Sequence, residues 1–254
     1  MLSDEKFCDR AMKFCLLKST EGKYFSIEDY RKAIEGSQTD KDKKVVFLYA
    51  TDAEAQYSFV EAAKNRGYDV LLMDCQLDSH FVNLLETKLE NVRFARVDSD
   101  SIDNLIQTEE KIRPELSEAD QEALSTIFKA VLPVGNDYHV QADNLGAEAA
   151  PILITQSEFM RRYREMSAMG GGMNFYGEMP QMYNITVNMQ NPLVEKIVAA
   201  KPDAKDELEG FAKENGVLRQ ITDLALLANG MLKGKELSDF IARSAKVVED
   251  AYLK

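Results

Sequence analysis

Asp74 closes the run Gly67-Tyr-Asp-Val-Leu-Leu-Met-Asp74, an apolar strand pattern ending in a carboxylate. That is how a receiver domain presents its phospho-accepting aspartate. Such a site also needs a pair of acids at the end of the first strand to hold Mg²⁺, and a lysine on a later strand. Here the first strand ends Tyr49-Ala-Thr-Asp52, which offers one acid, and the third ends Arg96-Val-Asp98, without a lysine. Asp74 therefore reads as a strand-end turn residue. The glycine signals fail as well. Gly170 and Gly172 begin a G-x-G, but Phe175 holds the third glycine position and the run follows a helical pattern. A dinucleotide cradle follows a strand and places its phosphate at a helix N-terminus. Gly230 to Lys235 is one residue short of a phosphate loop, and Glu236 replaces the metal-binding Ser/Thr. No G-x-S-x-G elbow occurs.

The remaining stock of reactive groups is small: His80, His139, Cys8, Cys15 and Cys75. Phe7, Cys8, Ala11, Met12, Cys15 and Leu16 recur at helical spacing after Ser3 and Asp4, which predicts one helix with both cysteines on its apolar face. Two turns separate them by roughly 10 Å, beyond the ~7 Å limit for a disulfide. Cys75 has no basic or histidine neighbour in sequence to activate it. The expectation is a chain with no catalytic, metal or cofactor-binding residues of its own. Forty-three acids against 31 bases give a net charge of −12, whereas a duplex binder usually shows a basic face, so nucleic acid is not expected as a partner. The longest apolar run, Val45 to Ala50, is far shorter than the ~18 residues of a membrane span. Met1-Leu2 is followed by Ser-Asp-Glu-Lys, with no signal peptide, so a reducing, cytoplasmic setting is expected.

Two patterns suggest binding instead. Seven of the eleven methionines fall between Met160 and Met189. Phe159, Met160, Tyr163, Met166 and Met169 share one helical face, while Arg161, Arg162, Arg164 and Glu165 lie away from it. Met173 and Phe175 come next, among glycines. Dense methionine specifies a core poorly but suits a surface that adapts to many apolar shapes. These seven residues are the candidate contact for partly unfolded client proteins. Further on, Val217 to Asn229 is apolar on nearly every side, and the terminal helix carries an apolar stripe. The excess over a single packing face predicts a second partner, and two such helices with their symmetry mates would make a four-helix dimer interface. Leu224, Leu227, Met231, Phe240, Ile241, Val248 and Tyr252 are its candidates.

The elements that must position these residues are set by periodicity. Ser26 and Asp29 cap a short helix to about Ile34. Strands at 45–49, 68–73 and 92–97 alternate with helices at 54–66 and 79–89, which predicts a small parallel sheet with right-handed crossovers. Asp98 to Arg113 is polar and weakly periodic and reads as a linker. This places a domain boundary near 113, with domains at 1–113 and 114–254. Beyond it come a helix from the Ser117/Asp120 cap to about Leu132, strands at 138–142 and 152–155, and a helix from Ser157 to Met169. A strand at 184–187 then precedes helices at 192–200, 203–213, 217–229 and 235–253. The fold class is α/β: a small three-layer αβα sheet, then an α+β domain ending in a helical dimerisation hairpin.

In that order the segments resemble the ninety-kilodalton heat-shock chaperones. Leu16 to Tyr30 resembles the stretch before the last αβα layer of the family's middle domain. Lys44-Val-Val-Phe-Leu-Tyr-Ala-Thr51, Asn65 to Met73 and the helix at 78–85 are similar to the family's next segments. Ala150-Pro-Ile-Leu-Ile-Thr155 with Met160-Arg-Arg resembles the start of the C-terminal domain. Asn184 to Leu193 falls at its strand-to-helix turn, and Leu224-Ala-Leu-Leu-Ala-Asn-Gly230 at the end of its dimerisation helix. The family's Trp before the Met-rich helix is absent, and Gln190 and Asn191 stand at the acidic and His positions of the turn. No acidic pentapeptide follows Lys254, as in the bacterial branch. The resemblance implies a homodimeric, ATP-driven chaperone of the stress response. It implies that this chain is a fragment without the ATP-binding domain, so ATP and Mg²⁺ belong to the full-length protein. The rival reading is a stand-alone α/β enzyme or receiver-like domain fused to a helical dimerisation module.

Overall fold

The computed structural model describes residues 4–108, 114, 116–158, 161–162 and 181–252. They gather into two compact units. The first holds residues 4–108 with 156–158, 161 and 162, and the second holds 114 and 116–155 with 181–252.

The first unit begins with α1 (Glu5–Ala11), whose cap Asp4 accepts a hydrogen bond from Phe7 N at 2.9 Å. The helical face expected to reach Leu16 stops at Ala11. Leu16 instead starts β1 (Leu16–Lys18), which pairs antiparallel with β2 (Tyr24–Ser26) around Gly22 at φ +78°. Left-handed backbone there is open to glycine at no steric cost. The hairpin turns Leu17 and Phe25 inward and leaves Leu16 and Tyr24 outside, so two-residue alternation overrides the helical spacing. Cys8 is buried and Cys15 half-buried beyond the helix end; these and Cys75 are free thiols.

Ser26 then caps α2 (Ile27–Ile34) by accepting from Asp29 N. A parallel sheet comes next, in the order β4-β3-β5, from β3 (Val45–Ala50), β4 (Val70–Leu72) and β5 (Val92–Arg96). The central strand is buried throughout, which is why its sequence is a continuous apolar run. Its alternate residues feed two cores. Val45, Phe47 and Tyr49 meet α2 and α4 (Asp78–Lys88) through Tyr30, Ile34, Val82 and Leu85. Val46, Leu48 and Ala50 meet α3 (Tyr57–Asn65) and α5 (Ile102–Leu105) through Val60, Ala63, Leu105 and Ile106. The stretch from Asp98 to Ile106 is therefore part of this unit and not a linker: α3 alone does not cover the second face.

The second unit packs helices on a mixed sheet of order β6-β8-β7. Here β6 (Asp137–Asp143) runs parallel to β8 (Met182–Asn188), and β7 (Ile152–Thr155) runs antiparallel to it. Val140, Ile154, Ile185 and Val187 form one core with Leu124, Ile127 and Phe128 of α6 (Glu118–Lys129). Val194 and Ile197 of α7 (Pro192–Ala199) join it, as do α8 (Leu208–Glu214), α9 (Gly216–Ala228) and α10 (Gly234–Tyr252). At the strand-to-helix turn, buried Asn188 donates to Gly146 O at 2.7 Å and accepts from Leu145 N at 3.1 Å. Asn191 caps α7 through Leu193 N and donates to Ala149 O, both at 3.0 Å. The side-chain amides thus serve as both donors and acceptors for loop backbone, which carboxylates could not do.

Candidate functional site

Among the described residues, no three His, Cys, Asp or Glu side chains gather around a metal-sized point. Asp52 is spent capping its own loop, accepting from Glu54 N and Ala55 N at 3.0 and 2.9 Å. Asp98 is clamped by the Arg96 guanidinium and Asp74 lies exposed at its strand end. In the turn between α9 and α10, Gly230 N bonds Leu227 O and Met231 N bonds Leu226 O. These amides close the helix C-terminus and are not free to cradle a phosphate. No described helix is long and apolar enough to cross a membrane.

The hairpin of α9 and α10 offers a surface instead. Asn215 caps α9 by accepting from Leu218 N, and Leu218, Ile221 and Leu226 face the core. Val217, Leu224 and Leu227 remain exposed, the last two at 48% and 41%. On α10, Ile241, Val248 and Tyr252 fall within about 40° of one another around the axis at 3.6 residues per turn, and all three are exposed. From Ala245 to Tyr252 every residue is exposed, whichever way it points. An Asp223–Arg243 ion pair with a buried carboxylate, and Gln220 Nε2 donating to Ser244 Oγ at 2.8 Å, tie the two helices together. The remaining two candidates lie differently. Phe240, at 6% exposure, is already in the core of its own unit, and Met231 is half-buried against it. Phe240 is therefore not available to a second chain.

A second constellation was not anticipated from sequence. Glu158, Arg161 and Arg162 are helical and belong with the first unit. Glu158 accepts from Tyr49 OH at 2.5 Å, Arg96 N at 3.0 Å, Arg161 Nη2 at 2.9 Å and Arg162 Nε at 2.6 Å. Arg161 also donates to Tyr49 OH at 2.6 Å, with its guanidinium 5.9 Å from the ring centre. Arg162 reaches on to Asn83 Oδ1, Glu86 Oε2 and Phe94 O at 3.0, 2.7 and 3.3 Å. Burial alone would raise the Glu158 carboxyl, yet the two guanidinium groups and the Tyr49 and Arg96 donors hold it below the usual carboxylate range. Burial beside that carboxylate pushes the Tyr49 phenol well up. Arg161 and Arg162, expected on a face turned from the apolar one, are ion-pair partners of Glu158, the first buried and the second half-buried. The available signal was Glu158 spaced three and four residues before two arginines. The client-contact candidates Phe159, Met160, Tyr163, Met166, Met169, Met173 and Phe175 lie outside the described residues.

Comparison with known proteins gives a consistent pattern. The family described as Hsp90 protein matches residues 2–251. A "Chaperone protein htpG" of Bacteroides fragilis (strain YCH46) is 40% identical over 306 aligned residues, covering 98% of this chain and 45% of the relative. "Chaperone protein HtpG" of Bacteroides thetaiotaomicron is 39% identical and that of Porphyromonas gingivalis (strain ATCC 33277) 38%, with the same coverage. The chain thus spans less than half the length of the curated relatives it matches.

Proposed function

The chain belongs to the Hsp90 family, and we propose that within it this chain supplies self-association and client contact, with nucleotide chemistry lying outside it. The observation that carries the reading is the uncovered apolar stripe on α9 and α10, which continues over two helical turns with no packing of their own. Burying a leucine or valine contributes roughly 1.5–3 kcal/mol, so a second copy meeting Leu224, Leu227, Ile241 and Val248 across a two-fold axis gains enough to associate. Client contact falls to the Met-rich face from Phe159 to Phe175, on the composition argument. ATP and Mg²⁺ would serve the longer chaperone. Three unpaired thiols, one of them exposed, suit a reducing compartment such as the cytoplasm. The rival enzyme or receiver reading has no assembled site among the described residues to support it.

Light scattering tests the reading. Leu227→Asp with Val248→Asp would place charges in the seam at a cost far above their cost in water. The expected outcome is a dimeric wild type and a monomeric double variant with unchanged circular dichroism. A wild type that stays monomeric at tens of micromolar, near the affinity of a weak complex, would overturn it.

A further inference from the structure

The strand β5 lies at the edge of its sheet, with β3 on one side only. Val97 N bonds Tyr49 O across the pair, so the alternate amides of Phe94 and Arg96 point to the open side. Neither faces water alone. Phe94 N donates to Glu86 Oε1 at 2.7 Å, and Arg96 N donates to Glu158 Oε2 at 3.0 Å. Phe94 O accepts from Arg162 Nη2 at 3.3 Å. Arg162 then joins the two carboxylates, at 2.7 Å to Glu86 and 2.6 Å to Glu158. Donor for donor and acceptor for acceptor, three side chains supply what a neighbouring strand would supply.

We propose that Glu86, Glu158 and Arg162 form a clasp over the β5 edge, and that opening it lets an extended polypeptide segment add to the sheet as a fourth strand. A free edge is a template for strand addition, and charged side chains are the usual guard. This guard differs in where its parts originate. Glu86 comes from α4 within the unit, whereas Glu158 and Arg162 are brought by the segment in which the methionine cluster begins. Rotation of the three side chains away from β5 would uncover the edge groups. The occupant is an extended stretch of unfolded chain, because the exposed groups are backbone and their spacing is that of a strand. The inference rests on the client reading above only for the source of that stretch.

Amide exchange and peptide binding on the 254-residue chain provide the test. Glu86→Gln should speed exchange of the Phe94 amide and Glu158→Gln that of the Arg96 amide. Each should rise roughly tenfold to a hundredfold, the worth of a hydrogen bond to a charged group. A fluorescein-labelled peptide of alternating valine and threonine should bind the double variant saturably and the wild type not at all. Unchanged exchange in both single variants would remove the clasp, and faster exchange without peptide binding would remove the docking role. If Glu158→Gln fails to fold, Glu86→Gln alone carries the same comparison at Phe94. Replacing Met160, Met166 and Met169 by serine separates the two readings. Client binding lost there while peptide binds no variant would sink the edge proposal and leave the chaperone reading. Peptide captured by the double variant, with no client bound by the wild type, would do the reverse.

Discussion

Glu158 is a carboxylate that burial alone would drive toward its neutral form. Arg161 and Arg162 on its own turn, Tyr49 from β3 and the Arg96 amide from β5 reverse that, while Glu86 pairs with Arg162 and Asp98 with the Arg96 side chain. Its pKa in the folded chain is therefore below the unfolded value near 4.5. An acid with a depressed folded pKa stabilises the fold above its unfolded pKa and loses that contribution as pH falls toward the folded one. The thermal stability of the wild type should accordingly fall as pH drops below about 4.5, while Glu158→Gln, already lacking the charge, should show a flatter slope there. Near neutral pH the same change should cost roughly 3 kcal/mol, as when one partner of a buried ion pair is removed. Parallel acid slopes in the two proteins would show that Glu158 does not carry the effect. The role was not legible in sequence because helical phase says which side of a helix is apolar and nothing of what stands opposite its polar side. Here it is a sheet edge with amides to satisfy.

The elements were legible to the degree that one periodicity governed them. The run Val45 to Ala50 could only be a strand covered on both faces, and Ser26 and Ser117 marked helix starts that the structure keeps. The hairpin of β1 and β2 escaped because three-residue strands carry too little alternation to outweigh the helical spacing of Phe7 to Leu16. The helix α5 escaped because four residues amid acids look like a connection, although Leu105 and Ile106 are buried. Phe240 and Ile241 are adjacent in sequence and divide between core and surface, a distinction that needs the phase of α10 against its neighbours. For the element from Ser157 to Met169, composition alone speaks of its apolar face, and it commits to an outcome. Changing Met160, Met166 and Met169 to serine should leave dimerisation and circular dichroism intact and weaken binding of a partly unfolded client several-fold, since each methionine contributes up to roughly 1.5–3 kcal/mol when covered. Equal client binding at matched folding would show that the face is ordinary core or idle surface.

At the scale of the whole molecule, a net charge of −12 bears on every partner the chain could meet. Such a charge repels a polyanionic nucleotide, and in the turn between α9 and α10 the Gly230 and Met231 amides are committed to a helix cap. Titration of the chain with Mg-ATP in a calorimeter should therefore give no saturable heat, and micromolar binding would refute the assignment of nucleotide chemistry to other parts of the protein. The same charge sets the sense in which self-association responds to salt. Two identical acidic chains repel at long range, whereas the surface proposed to join them is built from Leu224, Leu227, Ile241, Val248 and Tyr252, which carry no charge. Raising ionic strength from about 0.01 M to about 0.15 M shortens the screening length from ~30 Å to ~8 Å, which removes the repulsion and leaves apolar burial unaffected. The dimer should therefore tighten as sodium chloride is added, by a factor that sedimentation equilibrium can read directly. An interface resting on ion pairs across the two-fold axis would behave in the opposite sense. Dissociation constants that rise with salt would move the contact off the apolar stripe and onto charged residues such as Lys246, Glu249 and Asp250, which lie exposed on the same two turns of α10.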